Sequence, residues 1–240
     1  MIRKIGNKGK LLVFTDIHGD KKLFDEYMSL WDIENPNCHI CFAGDLIHGK
    51  FNPEKDKSPE ILDIVFEYIH HSNFHPLIGN HELSEIDQSS YLYMTMRGHR
   101  KRFIKSISAS KSKEKVEDYK IKYNDLMCKF KFALVTENGL WVSHIGPIKR
   151  SYHNVKDYMW NTFENHDSSA NVNDFLKNHS LEFMVAGHTE ISKGYQFRGK
   201  QLIINSNHHS EGDLNNYYLD VDLSKPVNKN LIKKSLKKLN

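Results

Sequence analysis

Three apolar runs in the first third of the chain alternate with segments of helical spacing, and this alternation is the feature that most restricts the fold. The runs are KLLVFTDI, HICFAGD and NFHPLIGN. Between them lie KKLFDEYMSLWDI and SPEILDIVFEYIHH, in which apolar residues recur three and four positions apart, as in amphipathic helices. The order strand, helix, strand, helix, strand requires parallel pairing and predicts a layered α/β sheet.

The remainder of the chain predicts a second part that is rich in strands. Its apolar runs are KFALVTEN, GLWVSHIG, LEFMVAGH, YQFRGKQLIIN and NNYYLDVDL. Asn138-Gly139 is a turn signal that predicts a hairpin. Helices are predicted at KDYMWNTF and NVNDFLKNH. We interpret residues 1–240 as a single domain with a basic helical insertion at about 85–130 and a lysine-rich C-terminal segment at 225–240.

The composition indicates a soluble globular protein. Hydrophobic residues make up 39% and charged residues 27% of the chain. The sequence has no apolar run near the ~20 residues that span a bilayer. Cys38 and Cys41 lie inside a predicted strand, so we interpret them as small buried side chains rather than a redox pair. We therefore expect a cytoplasmic protein without membrane contact, and the net charge of +4 suits an anionic substrate.

Apolar runs in both parts end in residue types that bind divalent metals: Asp16 with His18, Asp45, Asn80, His144 and His188. Asp16 and His18 are two positions apart at a strand end, so they point to the same side. The carboxyl ends of parallel strands meet at one edge, which is where open α/β sheets place their sites. Carboxylate, imidazole and amide oxygen suit divalent Mn, Fe or Zn. The pattern therefore predicts a two-metal site.

The order of these motifs resembles the calcineurin-like metallophosphoesterase superfamily. The motifs are FTDIHGD, FAGDLI, LIGNHE, VSHIGP and VAGHTE, within residues 13–190. LIGNHE and the later GHTEISKGYQF further resemble the phosphoprotein phosphatase branch, which contains serine/threonine phosphatases. The resemblance implies a four-layer α/β sandwich of two mixed sheets flanked by helices. It also implies hydrolysis of phosphate monoesters by a hydroxide that bridges two divalent ions, with Mn favoured over Fe and Zn.

The resemblance implies a role for each of these residues. The expected metal ligands are Asp16 and His18 for the first ion, Asp45 as the bridge, and Asn80, His144 and His188 for the second ion. His81, beside Asn80, would be the general acid that protonates the leaving-group oxygen.

The chain departs from this branch after the second apolar run. The branch usually has G-D-x-x-D-R-G, whereas this chain reads GDLIHGK. His48 stands where an aspartate normally orients the catalytic histidine, and Gly49 stands where an arginine normally grips the substrate phosphate. We expect an altered catalytic pair of His48 and His81, in which either an acid such as Glu82 or Asp20 supplies the missing negative charge or the acid step is weaker.

The candidates for substrate binding lie in three separate loops. Lys50 follows the missing arginine position and could act as a point charge, and Arg150 is the candidate for a second phosphate-gripping arginine. His208 lies in NSNHHSEGD, a loop that borders the active site in the branch. The basic run RGHRKRFIK fits either a cap that recognises a polyanion or a solvated helical face.

The leading interpretation is a serine/threonine-phosphatase-like enzyme acting on a phosphorylated substrate, either a phosphoprotein or a nucleotide. The alternative enzyme is a nucleotide or dinucleoside-polyphosphate hydrolase. The non-enzymatic alternative is a metal-binding scaffold whose catalysis is impaired by His48. A nucleic-acid-binding module would depend on the basic insertion alone, and with Phe103 as the only aromatic residue in that run, nucleic acid is not an expected partner.

Overall fold

The computed structural model describes residues 2–49, 55–89, 91–146, 169–207, 209–210, 213–214 and 216–239. The strands are β1 (Ile2–Ile5), β2 (Lys10–Phe14), β3 (Cys38–Ala43), β4 (Phe74–Leu77), β5 (Ala133–Thr136), β6 (Leu140–Ser143), β7 (Phe183–Ala186), β8 (Tyr195–Arg198), β9 (Gln201–Ile204), β10 (His209–Ser210), β11 (Asp213–Leu214), β12 (Tyr217–Asp222) and β13 (Leu236–Lys238). The helices are α1 (Lys21–Met28), α2 (Ser58–Tyr68), α3 (Asn80–Ile86), α4 (Tyr91–Thr95), α5 (Arg97–Ser110), α6 (Val116–Met127), α7 (Ser169–Asn178) and α8 (Lys229–Ser235), with a 3₁₀ turn at Lys113–Lys115.

The strands form two mixed sheets. One sheet has the order β13-β12-β2-β3-β4, in which β2, β3 and β4 are parallel and β12 is antiparallel to β2. The other has the order β1-β5-β6-β7-β9-β8, and β10 pairs only with β11. The predicted α/β fold of two mixed sheets flanked by helices is confirmed.

Strand β2 shows why the apolar runs are continuous rather than alternating. Leu12 and Phe14 pack against the helices, whereas Leu11 and Val13 enter the core between the two sheets. Successive side chains point to opposite faces of a strand, and both faces of this sheet are covered. The strand therefore needs apolar residues at every position, and its first polar residues can appear only where it ends.

The predicted hairpin and the helix at NVNDFLKNH are confirmed. Strands β5 and β6 are antiparallel, and Gly139 takes the positive φ of 94° that the turn requires. Helix α7 covers the second predicted segment. The helix predicted at KDYMWNTF lies outside the described residues.

Two edge strands were not predicted from the sequence. Strand β1 pairs parallel with β5, yet only Ile5 of its four residues is buried, so its apolar signal is weak. The lysine-rich segment forms α8 and then β13, which pairs with β12. Ile232 enters the core between the sheets and anchors this segment. Within the described residues, no helix combines the length and apolar character needed to cross a membrane.

Helix α5 carries the basic run and is amphipathic. Arg97, Lys101 and Lys105 are exposed, whereas Phe103 is fully buried. The helix packs against α2 and α6, and its buried face therefore lies on the helical layer that covers β2 and β3. One side of α5 is therefore a solvated helical face, as one of the two interpretations of the basic run expects. The other side reaches the site described next.

Candidate active site

The ends of β3, β4, β6 and β7 bring four of the predicted ligand residues together. His144 Nε2 lies 2.8 Å from Asn80 Oδ1 and 3.2 Å from Asp45 Oδ2. His188 Nδ1 lies 3.0 Å from the same Asn80 oxygen. His144 Nδ1 lies 2.9 Å from the carbonyl oxygen of Ala43, a contact that leaves Nε2 directed into the cluster.

The end of β2 adds the other two predicted ligand residues. His18 Nε2 lies 3.9 Å from Asp16 Oδ1 and 3.9 Å from Asp45 Oδ2. The His188 amide donates to Asp16 Oδ2 at 3.0 Å. Asp16, His18 and Asp45 are all buried. The six residues that the sequence singled out as ligands therefore lie in one cluster.

The backbone at this cluster is unusual. Left-handed φ angles occur at non-glycine site residues: Asp16 (55°), His18 (50°), Asp45 (55°), His48 (66°) and His188 (66°). Such conformations cost about 1–3 kcal/mol each and persist only where the surroundings impose them. The His18 amide donates to the Asp45 carbonyl at 2.9 Å, so the loops after β2 and β3 hold each other in place.

Glu82 holds the loop after β3 rather than orienting His81. Its Oε2 accepts from the amides of Asp45 at 2.9 Å and Gly79 at 2.8 Å. Its Oε1 accepts from the amides of Leu46 at 2.8 Å and Ile47 at 3.2 Å. The carboxylate is fully buried and fixes the backbone around Asp45. The expectation that Glu82 supplies the missing charge beside the catalytic pair is therefore wrong.

The partner of His48 is Glu85, which the sequence analysis did not single out. His48 Nε2 lies 2.8 Å from Glu85 Oε1, and His48 Nδ1 lies 3.0 Å from His81 Nδ1. Asp20, the other acid considered, caps α1 by accepting from the Leu23 amide at 3.0 Å. Glu85 is four residues after His81, on the same face of α3, and this spacing was the available signal.

Helix α5 completes the side of the site that faces His81. The His99 ring centroid lies 5.1 Å from that of His81 and 5.6 Å from that of His48. Arg102 donates from Nη2 to His99 Nδ1 at 2.9 Å. Burial, with Arg102 and His48 nearby, lowers the pKa of His99 to about 4. These histidines could form a third metal group, but the Arg102 guanidinium disfavours a cation there.

The arginine expected at position 49 is excluded by packing. A side chain at Gly49 would place its Cβ 2.8 Å from the Cβ of Asp56. Asp56 is buried and accepts from the Ser58 amide at 3.0 Å, so it cannot withdraw freely. The three predicted substrate-binding residues lie outside the described residues: Lys50, Arg150 and His208.

The charges of the cluster perturb one another strongly. Burial would raise the pKa of Asp45, but the imidazoles of His144 and His81 outweigh it and hold that pKa well below the ordinary value. Burial alone would lower the pKa of His144, but Asp45 raises it to about 9. Burial, with His144 nearby, lowers the pKa of His188 to about 4. Burial also lowers the pKa of His81, against the opposing effect of Asp45.

The donor set fits two divalent ions. His18 and Asp45 place ligand atoms within 4.8 Å of one another, with His81, the expected acid, rather than Asp16 as the third member of that group. Asp45, His144 and His188 form a second such group. Asp45 belongs to both groups, as a residue shared by two ions would. Buried carboxylates and imidazoles at these separations match the ligand preferences of Mn, Fe and Zn.

Comparison with known proteins establishes the family. The calcineurin-like phosphoesterase model matches residues 9–221, so the chain belongs to this family. Membership implies a phosphoester hydrolase with a phosphorylated substrate. No curated protein sequence matches the chain significantly.

Solved structures with the same fold include several phosphatases. A protein serine/threonine phosphatase from Saccharomyces cerevisiae is 15% identical with a TM-score of 0.59, and the match covers 92% of this chain and 76% of that one. A cold-active protein-tyrosine phosphatase of a Shewanella species is 14% identical with a TM-score of 0.60, covering 100% and 83%. A putative diadenosine tetraphosphatase is 14% identical with a TM-score of 0.51, covering 92% of each chain. At these identities the matches show the shared fold alone.

Proposed function

We propose that this protein hydrolyses phosphate monoesters with two bound divalent ions, as a phosphatase of the serine/threonine type. The observation that carries the proposal is the position of Asp45, which belongs to two adjacent groups of metal-binding side chains. Two ions that share a carboxylate lie close enough to contact both the attacking and the leaving oxygen of a phosphoryl group.

The proposed ligands are those that the strand ends bring together: Asp16 and His18 for one ion, Asp45 for both, and Asn80, His144 and His188 for the other. When bound, the ions would acidify a bridging water and neutralise charge on the phosphoryl oxygens. Mn is the proposed metal, with Fe and Zn as alternatives, since carboxylate and imidazole donors accept all three and do not distinguish among them.

His81 is the proposed general acid. Its Nδ1 faces His48, so its Nε2 is the nitrogen that lies on the side of Asp45, at 3.7 Å from Oδ2. A proton on that nitrogen can reach a leaving-group oxygen held at the ion cluster. The contact between His48 and His81 argues against an impaired scaffold, because the pairing expected of an active enzyme is retained with different residues.

A nucleotide or dinucleoside-polyphosphate substrate is the second candidate. The observation that favours it is the combination of Gly49, which leaves no room for a phosphate-gripping arginine, with Arg102 on the inner face of α5. A guanidinium on that side could bind a further phosphate group. Lys50, Arg150 and His208 remain the proposed contacts to substrate from the loops.

The test is phosphate release from p-nitrophenyl phosphate by metal-stripped protein, before and after Mn is added back. Turnover should require Mn, and Asp45→Asn should lower kcat by about 10³-fold, since one electrostatic group in an active site can contribute this much. Asp32→Asn, an exposed acid in the connection between α1 and β3, is the matched control. Metal uptake without turnover on aryl phosphate, phosphopeptides or nucleotides would leave the scaffold interpretation in place.

A further inference from the structure

We infer that Glu85 is a positioning residue that holds His48 against His81, so that Glu85, His48 and His81 act as one proton relay. The inference rests on the proposed function, because it explains how the acid of that reaction works without the expected aspartate. It concerns residues from the loop after β3 and from α3.

The hydrogen bonds determine where the protons lie. A carboxylate only accepts, so the 2.8 Å contact with Glu85 Oε1 requires a proton on His48 Nε2. The two Nδ1 atoms of His48 and His81 lie 3.0 Å apart, and a contact this short requires one shared proton between them. This arrangement leaves Nε2 of His81 as the end of the relay, on the side of the proposed ions.

Glu85 is built into this position. Its side chain is 1% exposed and that of His48 is fully buried. A carboxylate removed from water is destabilising unless it is paired, and Glu85 has a partner for each oxygen. Oε1 contacts His48, and Oε2 lies 3.7 Å from Arg100 Nε on α5. Because His81 and Glu85 lie on one short helix, their separation is fixed and His48 is held between them.

The proton transfer balances within these three residues. In the form of the pair that acts as the acid, one proton lies on His48 Nε2, one between the two Nδ1 atoms and one on His81 Nε2. The two rings then carry one positive charge, which the Glu85 carboxylate offsets. His81 gives its Nε2 proton to the leaving oxygen, the shared proton stays on His81 Nδ1, and both rings become neutral. Water restores the lost proton after the product leaves.

Kinetics on leaving groups of different basicity test the relay. Phenyl phosphate needs a proton on its leaving oxygen much more than p-nitrophenyl phosphate does. In Glu85→Gln, kcat on phenyl phosphate should fall about 10–100-fold, which is the usual effect of removing a residue that orients a catalytic group. The fall in kcat on p-nitrophenyl phosphate should be at least tenfold smaller. Glu60→Gln on α2, an acid paired with exposed Lys57, is the control. Equal losses on both substrates would overturn the inference.

Histidine-ring NMR on the metal-free protein gives a readout that needs no activity. The wild type should show a slowly exchanging N–H proton at His48 Nε2, identified by its loss in His48→Asn. Glu85→Ala should make that proton exchange rapidly, with circular dichroism confirming that the variant is folded. His48→Asn serves as a second kinetic variant and should show the same selectivity for leaving groups as Glu85→Gln. A wild type that turns over no phosphoester contradicts the proposed function, whereas an active enzyme whose His48 Nε2 carries no proton contradicts only the relay.

Discussion

The described part of the chain contains two histidine pairs with the same nitrogen–nitrogen separation and opposite surroundings. His39 Nδ1 and His75 Nε2 lie 3.0 Å apart on neighbouring strands β3 and β4. His48 Nδ1 and His81 Nδ1 also lie 3.0 Å apart, in the segments that follow the same two strands. The charged neighbour that lowers the pKa of both residues in the strand pair is the guanidinium of Arg3.

The two pairs differ in the charge beside them rather than in the contact between the imidazoles. Burial, with His39 and Arg3 nearby, lowers the pKa of His75 to about 3, so the strand pair is neutral at physiological pH. In the pair at the site, the His48 ring contacts a buried carboxylate, that of Glu85. A charge shared by two rings needs such a counter-charge in a buried environment.

Of the substitutions in the two pairs, replacement of His81 should have the largest effect on kcat. His81→Asn should lower kcat on phenyl phosphate by about 10²–10⁴-fold, the range expected for loss of a general acid. His39→Asn, in the strand pair, should leave kcat within about twofold, because His39 lies within β3 and contacts His75 rather than lying in the loops that form the site. Steady-state kinetics on both variants measure this. Similar losses in the two variants would mean that the pairs do not differ in function.

The lowered pKa of His75 in the strand pair should make the free energy of unfolding depend on pH. The pKa of His75 is lowered to about 3 from an ordinary value of 6.5, so between these values the unfolded chain binds more protons than the folded chain. Stability is therefore lost as the pH falls from 6.5 towards 3, by up to about 1.4 kcal/mol per pH unit.

His75→Gln removes this term while keeping a polar side chain at the contact with His39. The free energy of unfolding of this variant, relative to that of the wild type, should rise as the pH falls from 6.5 to 4. Urea titrations of both metal-free proteins at several pH values give the difference. A difference that does not change with pH would show that the strand pair accepts a proton in the folded state.

The smallest expected effect comes from Arg3. Arg3→Gln removes a cation beside the strand pair, so the pKa of His39, which burial and Arg3 both lower, should rise towards its ordinary value. Stability should change by about 1 kcal/mol or less, since Arg3 is half-buried and its Nη2 donates to the Ser72 carbonyl oxygen at 2.9 Å. An NMR titration of the His39 ring measures the shift, and a fall in that pKa would contradict the assigned role of Arg3.

The cluster of proposed ligands and the contact between His48 and His81 could be predicted from the sequence, whereas the carboxylate that contacts His48 could not. Asp16, Asp45 and Asn80 follow apolar runs directly, and parallel pairing alone brings those strand ends to one edge. Glu82 and Glu85 lie in the same short sequence, but which of them contacts His48 depends on how α3 is rotated against the loop after β3. That rotation is a property of tertiary packing, which periodicity does not encode.

Helix α5 shows the same limit for charged residues. The basic run indicated a solvated face, and Arg97, Lys101 and Lys105 are indeed exposed. His99 and Arg102 in the same run turn towards His81 instead, because Phe103 anchors the helix in the core. The sequence pattern does not distinguish the inward residues from the exposed charged residues around them. Only the packing of α5 on α2 and α6 separates the two sets.

The first six residues of α3 perform four different tasks. Asn80 is a proposed metal ligand, His81 the proposed acid, Glu82 the clamp on the loop around Asp45, and Glu85 the partner of His48. Each residue of an α-helix advances the side chains by about 100° around the axis. An insertion or deletion of a single residue within α3 would therefore turn Glu85 away from His48 while Asn80 stayed in place. In related chains that retain this site, the stretch between these two residues can vary in composition, but its length must stay the same.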